Sequence, residues 1–521
     1  MKKTIKILLI ISLTALSLFI GLTILVNMKI QQKVENFLQT RLPKNISQSH
    51  NTMNVDTFEG TITISDLLVH LKNKSDTITH TTIGMDKLII EDVSYWKYLF
   101  NDEIHIEDIK FKSPIITYHK DKVIINKDSE RIAPIKLFKP IIIEELSIDN
   151  TTLTIFEKGK DSVLIHTTNT TIEIDDILIS KETLLQKIPA TFSEYEVNTD
   201  SIFVKISPYE NVTAQNLTIK NQQVSLENIA LKTKYSRTEL SKIITKERDH
   251  IDLDIKNITL ADIDFGFIDN KKLFVKSSNI SIEKPVASIY RDKLVSDDTT
   301  IKKLYSKMLR ETSIDLTIDK IALYNGSVIY TERVKQDNTG GTIDFKNLSA
   351  TILNASNTYT SNEKTTIDIE AIFMKNTPLK ANWEFDATKP NDQFIFKAEI
   401  GSLKASDLNT FMKPNLKIQL EGVTNKTYFT ISGTNNTSNI SMRMSYDNFK
   451  VNILNKKGNK KNKFLSAIAN IFIIEDSKNN NQVFSDGSAT ATRDKTKSFF
   501  NYLWLNIKSG LLNTLTGKDE N

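Results

Sequence analysis

The chain has 521 residues, of which 39% are hydrophobic, 25% charged and 8% aromatic, a composition that folds and is far from a disordered one. The formal net charge of +5 is spread along the chain and leaves no nucleic-acid footprint, while 15 Gly and 10 Pro exclude collagen-like and linker arrays. Cys is absent, which excludes disulfide scaffolds, thiolate zinc sites, Cys nucleophiles and lipid-anchored lipoproteins, and suits an oxidising compartment.

The first predicted element is a membrane helix. Lys2, Lys3 and Lys6 precede an uncharged stretch, Ile7–Val26, whose twenty residues span roughly 30 Å as a helix. Ala15-Leu16-Ser17 offers a weak cleavage site, so a cleavable secretory signal is the competing reading. The apolar run continues past it through Phe19, Ile20, Leu22, Ile24 and Leu25, which favours an uncleaved signal anchor over residues 1–27. A short tail before the span and a long one after it predict an N-terminus inside. Residues 28–57 follow as a juxtamembrane helix and linker. Ile30, Val34, Phe37, Leu38 and Leu42 recur at helical spacing before Pro43, to lie near the membrane or to face the core.

From Phe58 onward Ile, Val, Thr, Phe and Tyr alternate with polar residues, the period of half-buried strands. Superposed on it is a repeat with apolar residues at offsets 0, 2, 5, 7, 12 and 14. One copy uses Ile104, Ile106, Ile109, Phe111, Ile116 and Tyr118; another uses Ile141, Ile143, Leu146, Ile148, Leu153 and Ile155. A third uses Leu253, Ile255, Ile258, Leu260, Phe265 and Phe267, and a fourth Leu316, Ile318, Ile321, Leu323, Val328 and Tyr330. A looser copy starts at Val212, and half-copies start at Ile62, Ile83 and Ile172. Side chains alternate faces along a strand, so the step of three from the second to the third position demands a bulge or kink to keep one apolar face. Ser113-Pro114 and Asn325-Gly326 read as turns, so each copy is expected to be a bent strand, a turn and a returning strand. Such units joined antiparallel predict a mainly β chain: an elongated, curved antiparallel sheet forming a groove over residues 58–455, with a few short helices. Roughly 22–28 strands at about 4.8 Å would make it about 105–135 Å long. Closed sandwiches, with the apolar face as an ordinary core, are the alternative.

The arrangement resembles the AsmA-like family of bacterial envelope proteins, related to TamB and to bridge-like lipid-transfer proteins with a repeating β-groove. The likeness rests on the N-terminal anchor, on Phe58-Glu59-Gly60-Thr61-Ile62-Thr63-Ile64, on the unit from Ile318 to Tyr330, and on Lys497-Ser498-Phe499-Phe500-Asn501-Tyr502-Leu503-Trp504. It covers nearly the whole chain as a pattern, without a diagnostic short motif. It implies a single-pass inner-membrane protein with its bulk in the periplasm, supporting outer-membrane lipid homeostasis through phospholipid transfer. It implies no catalytic residue and no cofactor, and an outer-membrane or envelope partner at the C-terminal end. The expected groove lining is Ile104, Ile106, Ile109, Phe111, Ile141, Ile143, Leu146, Ile148, Leu253, Ile255, Ile258, Leu260, Leu316, Ile318, Ile321 and Leu323, to be met by phospholipid acyl chains.

Past the fourth copy the pattern loosens. Ile301, Leu304, Tyr305, Met308 and Leu309 predict a helix within residues 300–311, and residues 456–521 a basic linker with a C-terminal amphipathic helix. Lys456, Lys457, Lys460, Lys461 and Lys463 form a basic tract, a solvated loop or an attractor of anionic headgroups. Phe500, Leu503, Trp504, Ile507 and Leu511 share one helical face, to touch a membrane or to cap the groove. Asp264-Phe265-Gly266 spells a kinase triplet without the rest of that signature and is read as strand; the seven His lack metal spacing. The leading reading is a non-enzymatic, membrane-anchored lipid conduit. An assembly scaffold for outer-membrane proteins and a surface adhesin are the alternatives.

Overall fold

The computed structural model describes residues 2–40, 42–124, 139–159, 162–269, 271–359, 363–454, 476–477 and 483–517, with backbone alone for residues 2–16, 18 and 95. The basic tract at Lys456–Lys463 lies outside the described residues. The chain is mainly β, with 24 strands among the described residues, and divides into two compact units, Met1–Pro208 with Val212–Asn221, and Tyr209–Asn211 with Gln222–Asn521.

The first unit opens with one continuous helix, α1 (Lys2–Thr40), so the expected anchor and juxtamembrane helix are a single element. Among the described residues no helix is long and apolar enough to cross a membrane; the first half of Ile7–Val26 is described by its backbone only. Strands follow: β1 (Ile46–Ser49), β2 (Thr52–Asp56), β3 (Thr61–Lys72) and β4 (Thr79–Glu91), then the short helix α2 (Tyr95–Phe100). After it come β5 (Ile104–Lys112), β6 (Ile115–His119), β7 (Ile141–Phe156), β8 (Val163–Ile179), β9 (Tyr195–Lys205) and β10 (Glu210–Lys220). β1 and β2 pair in one register with β3, and β5 and β6 in one register with β4. Each of these pairs is therefore one interrupted strand.

That collinearity corrects the expected turn. Ser113-Pro114 does not reverse the chain: β5 and β6 run the same way, both antiparallel to β4 and both parallel to β7. The cause is a single left-handed residue. Ser113, Asn150, Asn221, Asp262 and Asn325 all stand nine residues into their copies, with φ of 53, 55, 46, 52 and 53°. Asn and Asp tolerate that conformation, and one such residue is enough to kink a strand, whereas a two-residue type I′ hairpin turn needs two. Two consecutive left-handed residues occur only at Asn221-Gln222 within these copies. The three-residue step is handled similarly in some strands only. Asp66, Asp176 and Asn216 sit inside it with φ of 52, 53 and 50° in the half-copies starting at Ile62 and Ile172 and in the looser copy, while the four full copies have no left-handed residue there. Between β7 and β8 the apolar face is kept without a register shift: Ile104, Ile141 and Ile179 on one side of the step and Ile109, Leu146 and Ile174 on the other all pack on Ile106, Ile143 and Ile177.

The second unit contains β11 (Gln223–Thr233), α3 (Arg237–Ile243), β12 (Asp249–Ala261), β13 (Asp264–Ile268), β14 (Lys272–Glu283) and β15 (Val286–Asp292). Next are α4 (Tyr305–Arg310), β16 (Asp315–Arg333), β17 (Gly341–Ser356), β18 (Thr365–Phe373), β19 (Thr377–Phe385), β20 (Phe394–Ile400) and β21 (Leu403–Lys404). It ends with α5 (Asn409–Leu416), β22 (Ile418–Gly433), β23 (Thr437–Ile453), β24 (Ser485–Thr492) and α6 (Phe499–Thr516). The kinase-like triplet begins β13, as alternation predicted. β16 runs unbroken through Asn325-Gly326, where a bulge shifts the register and a second at Asn347 restores it.

An all-antiparallel sheet was expected, and each unit departs from it once. β5/β6 lie parallel to β7, and β14/β15 parallel to β16. The two junctions match: Ser113 N–H donates to Asp149 O and Thr152 N–H to Pro114 O, as Lys284 N–H does to Tyr324 O and Ser327 N–H to Pro285 O. Parallel neighbours need a crossover connection, and in the second unit residues 293–314 supply it. The helix expected there is only α4, because Lys302 N–H is engaged by Lys495 O at 2.8 Å, holding the preceding residues extended.

Candidate functional site

The sixteen expected lining residues fall in rows that run across neighbouring strands. In the first unit Ile64 of β3 faces Leu88 of β4, then Phe111 of β5, Ile148 of β7, Ile172 of β8 and Val197 of β9. The adjoining row is Ile62, Ile90, Ile109, Leu146 and Ile174. Beyond the step, Ile106, Ile143 and Ile177 make a third row, and Ile104, Ile141 and Ile179 a fourth. The repeat thus aligns like with like, and cross-strand aliphatic pairs stabilise the ladder by about 0.2–1 kcal/mol each. The opposite side carries charge: Glu91, Asp108, Glu145 and Asp175 face one another across four strands, with Lys110 bonded to Glu91 and Asp108. Burial, then Asp108, Glu173 and Asp175, push the Glu145 carboxyl above its ordinary range.

In the second unit one row runs from Val224 and Leu260 through Ile280, Ile321, Ile352 and Ile367. It continues through Trp383, Phe396, Ile431, Ile440 and Ala489. Leu226, Ile258, Ile282, Leu323, Ala350 and Ile369 lead the parallel row into Ala381, Ala398, Phe429 and Met442. Up to β18 these side chains are half-buried; from β19 on most are fully buried. The change coincides with a cover. α6, together with Leu304 and Leu309 of the crossover, packs on Ala381, Trp383, Phe394, Phe429, Ile440 and Met442.

Of the expected lining, Ile106 and Ile143 are buried. Ile104, Ile109, Phe111, Ile141, Leu146, Ile148, Leu253, Ile255, Ile258, Leu260, Leu316, Ile318, Ile321 and Leu323 are half-buried. The expected helical face is divided. Leu503 is 6% exposed, whereas Phe500 and Trp504 are 63% and 38% exposed; Ile507 and Leu511 pack partly against the core. α6 instead buries Phe499, Tyr502, Asn506, Gly510, Asn513 and Thr514. Asn506 Nδ2–H donates to Ser438 Oγ at 2.8 Å and Asn513 Nδ2–H to Ser488 O at 2.6 Å. Gly510 lies where a Cβ would stand 3.1 Å from the Ile440 side chain, so the helix comes closer than a larger residue allows. Apolar spacing could not reveal this polar, small-residue face.

Just ahead of α6, Lys497 reaches buried Glu247 at 3.2 Å and Asp297 at 3.0 Å, and Lys293 closes on Glu247 at 2.7 Å. Burial alone would raise the Glu247 carboxyl, but its hydrogen bonds and attraction to Lys293 and Lys497 outweigh that and hold it below the usual range. For Lys497, burial opposes the charge and the two carboxylates prevail, so its pKa is raised.

No family model matches the chain, and no curated protein matches it. Among the described residues no group of His, Asp and Glu stands ready to hold a metal ion.

Proposed function

We propose that this protein is a non-enzymatic lipid carrier whose apolar sheet faces hold acyl chains. The observation that supports this best is the run of apolar rows left without a helix over them in β5–β9 and in β11–β18, whereas Val34 and Leu38 of α1 pack on Ile64 and Met85 at β3–β4 and the second unit's rows are covered beyond β18. Each methylene removed from water on such a surface gains about 0.8 kcal/mol, and because the gain is non-directional a chain slides without a specific site. The charged opposite side supports an assignment of that side to water.

In this reading Ile7–Val26, uncharged along α1, anchors the chain in an inner membrane with the N-terminus cytoplasmic. The remainder lies in the periplasm and serves phospholipid transfer toward the outer membrane, in keeping with the AsmA-like resemblance. The test is lipid recovered with the full chain after gentle extraction. A variant with Ile148→Asp, Ile172→Asp and Leu323→Asp, all half-buried positions, is expected to lose most of that lipid while remaining folded. Equal lipid on the folded variant would refute the reading.

A further inference from the structure

The two strand ends of the first unit differ chemically. At the end where β3 begins and β4 finishes, Phe58, Trp96, Leu99 and Phe100 are 76%, 72%, 68% and 66% exposed, and Tyr98 is exposed beside them. The β8–β9 connection at the same end adds exposed Leu185, Ile188 and Phe192. At the opposite end the described connections expose Ile78, Ile124 and Ile206 and no aromatic ring. Helix α2 is held in place: Ser94 caps it through Lys97 N–H, and Ser94 N–H donates to His105 O at 2.9 Å. Lys139 lies 3.7 Å over the Tyr98 ring. These rings are therefore presented outward on a fixed scaffold.

The same end meets α1 where its apolar stretch stops. Thr57 N–H donates to Asn27 Oδ1 at 2.9 Å, and the Phe58 ring stands 6.2 Å from Phe19. Val93 N–H donates to Gly60 O at 3.2 Å, tying the α2 connection to the same loop. Phe19, Ile20, Leu22, Ile24 and Leu25 are all exposed. Phe19 lies eight residues before Asn27, about 12 Å along the helix axis, so Phe58 reaches a level of α1 that carries no charge and is mostly apolar.

We propose that this end of the first unit is a second membrane contact, with Phe58 and the α2 aromatics seated in the interface of the bilayer that α1 enters. The inference rests on the anchoring reading of α1. Tyr, Trp and Phe beside Lys97 and Lys139 are the chemistry of a headgroup boundary. Acidic residues stand among them, with Asp102 3.3 Å from Lys139, so apolar insertion and not anionic attraction provides the hold. Ile104, the first residue of the fourth row, follows four residues after Phe100. The seated end therefore delivers acyl chains from the bilayer to the start of the apolar face.

The test uses the full chain with Trp383→Phe and Trp504→Phe, leaving Trp96 as its only tryptophan, reconstituted into phosphatidylcholine vesicles with brominated acyl chains. Seating predicts a blue-shifted Trp96 with about a twofold loss of emission, little changed by salt or by added phosphatidylglycerol. The quenching must persist when Ile148→Asp and Ile172→Asp are added, since quenching by lipid held on the sheet would vanish. Vesicle-bound protein whose Trp96 is unquenched, or quenched only without those two changes, overturns the seating and points to a protein partner for these rings. Failure to float with vesicles overturns the anchoring reading itself, and the seating with it. Wild-type lipid recovery without Trp96 quenching separates this inference from the carrier reading.

Discussion

The β11–β18 and β19–β24 parts of the second unit are built from the same rows yet have different fates. Leu323, Ile321 and Ile280 keep part of their surface in water, while Ile431, Ile440 and Met442, further along the same two rows, are sealed. Nothing in the strands accounts for this; the difference is the helix laid over the second set. An alternating strand pattern therefore specifies an apolar face without specifying what closes it, and closure is decided by elements distant in sequence.

This contrast is open to direct attack by mutation. The largest effect is expected for Ile440→Asp, which buries an unpaired charge beneath α6 and should cost about 4 kcal/mol or more, read as a fall in the urea midpoint. Leu323→Asp on the uncovered stretch should cost only about 1–2 kcal/mol in the same assay; equal losses would erase the distinction. Leu503→Ala should remove about 2–4 kcal/mol by leaving a cavity under the helix, read as a drop in thermal midpoint.

The tether ahead of α6 should contribute less and depend on pH. Because the folded Glu247 carboxyl lies below its unfolded value, its stabilisation is present above about pH 4.5 and is lost as the pH falls through the folded pKa. Glu247→Gln should lower the midpoint at pH 7 by the equivalent of about 1–3 kcal/mol and flatten its decline between neutral and acid pH. A wild-type acid slope retained in that variant would remove the tether from the account. Phe500→Ala, on the exposed side of α6, should shift stability by no more than about 0.5 kcal/mol.

Much of the fold was legible in the sequence because both of its periods have a physical cause. Alternation of two gave the strands, and the step of three gave the cross-strand rows, since Ile143 facing Ile177 and Leu146 facing Ile174 repeat the same step. The recurrent Asn, Asp or Ser nine residues into each copy suggests a turn in sequence, but at Ser113 and Asp262 it kinks the strand in place. A short polar residue signals left-handed backbone but not whether the strand continues past it or reverses: one left-handed residue kinks the strand at Ser113, and one, Met374, stands in the β18–β19 hairpin. The parallel pairs left no trace, because side-chain period is the same whichever way a neighbour runs. On α6 apolar spacing points to Phe500 and Trp504, which are exposed. Asn506, Gly510 and Asn513 form the docking face because the strands beneath expose Gly487, Ser438 and Ser488, and close approach there needs small residues and hydrogen bonds. The aromatic helix Tyr95–Phe100 lay outside both periods and had only its composition to mark it.

The most direct test of the central claim is photo-crosslinking to lipid from single positions in the full chain held in native-like membrane. A photoreactive side chain at Ile172 or Leu323 should capture phospholipid, while one at Ile440, under α6, or at Glu173, on the charged side, should not. Capture at all four positions alike, or at none, would contradict an apolar face that carries lipid wherever no helix covers it.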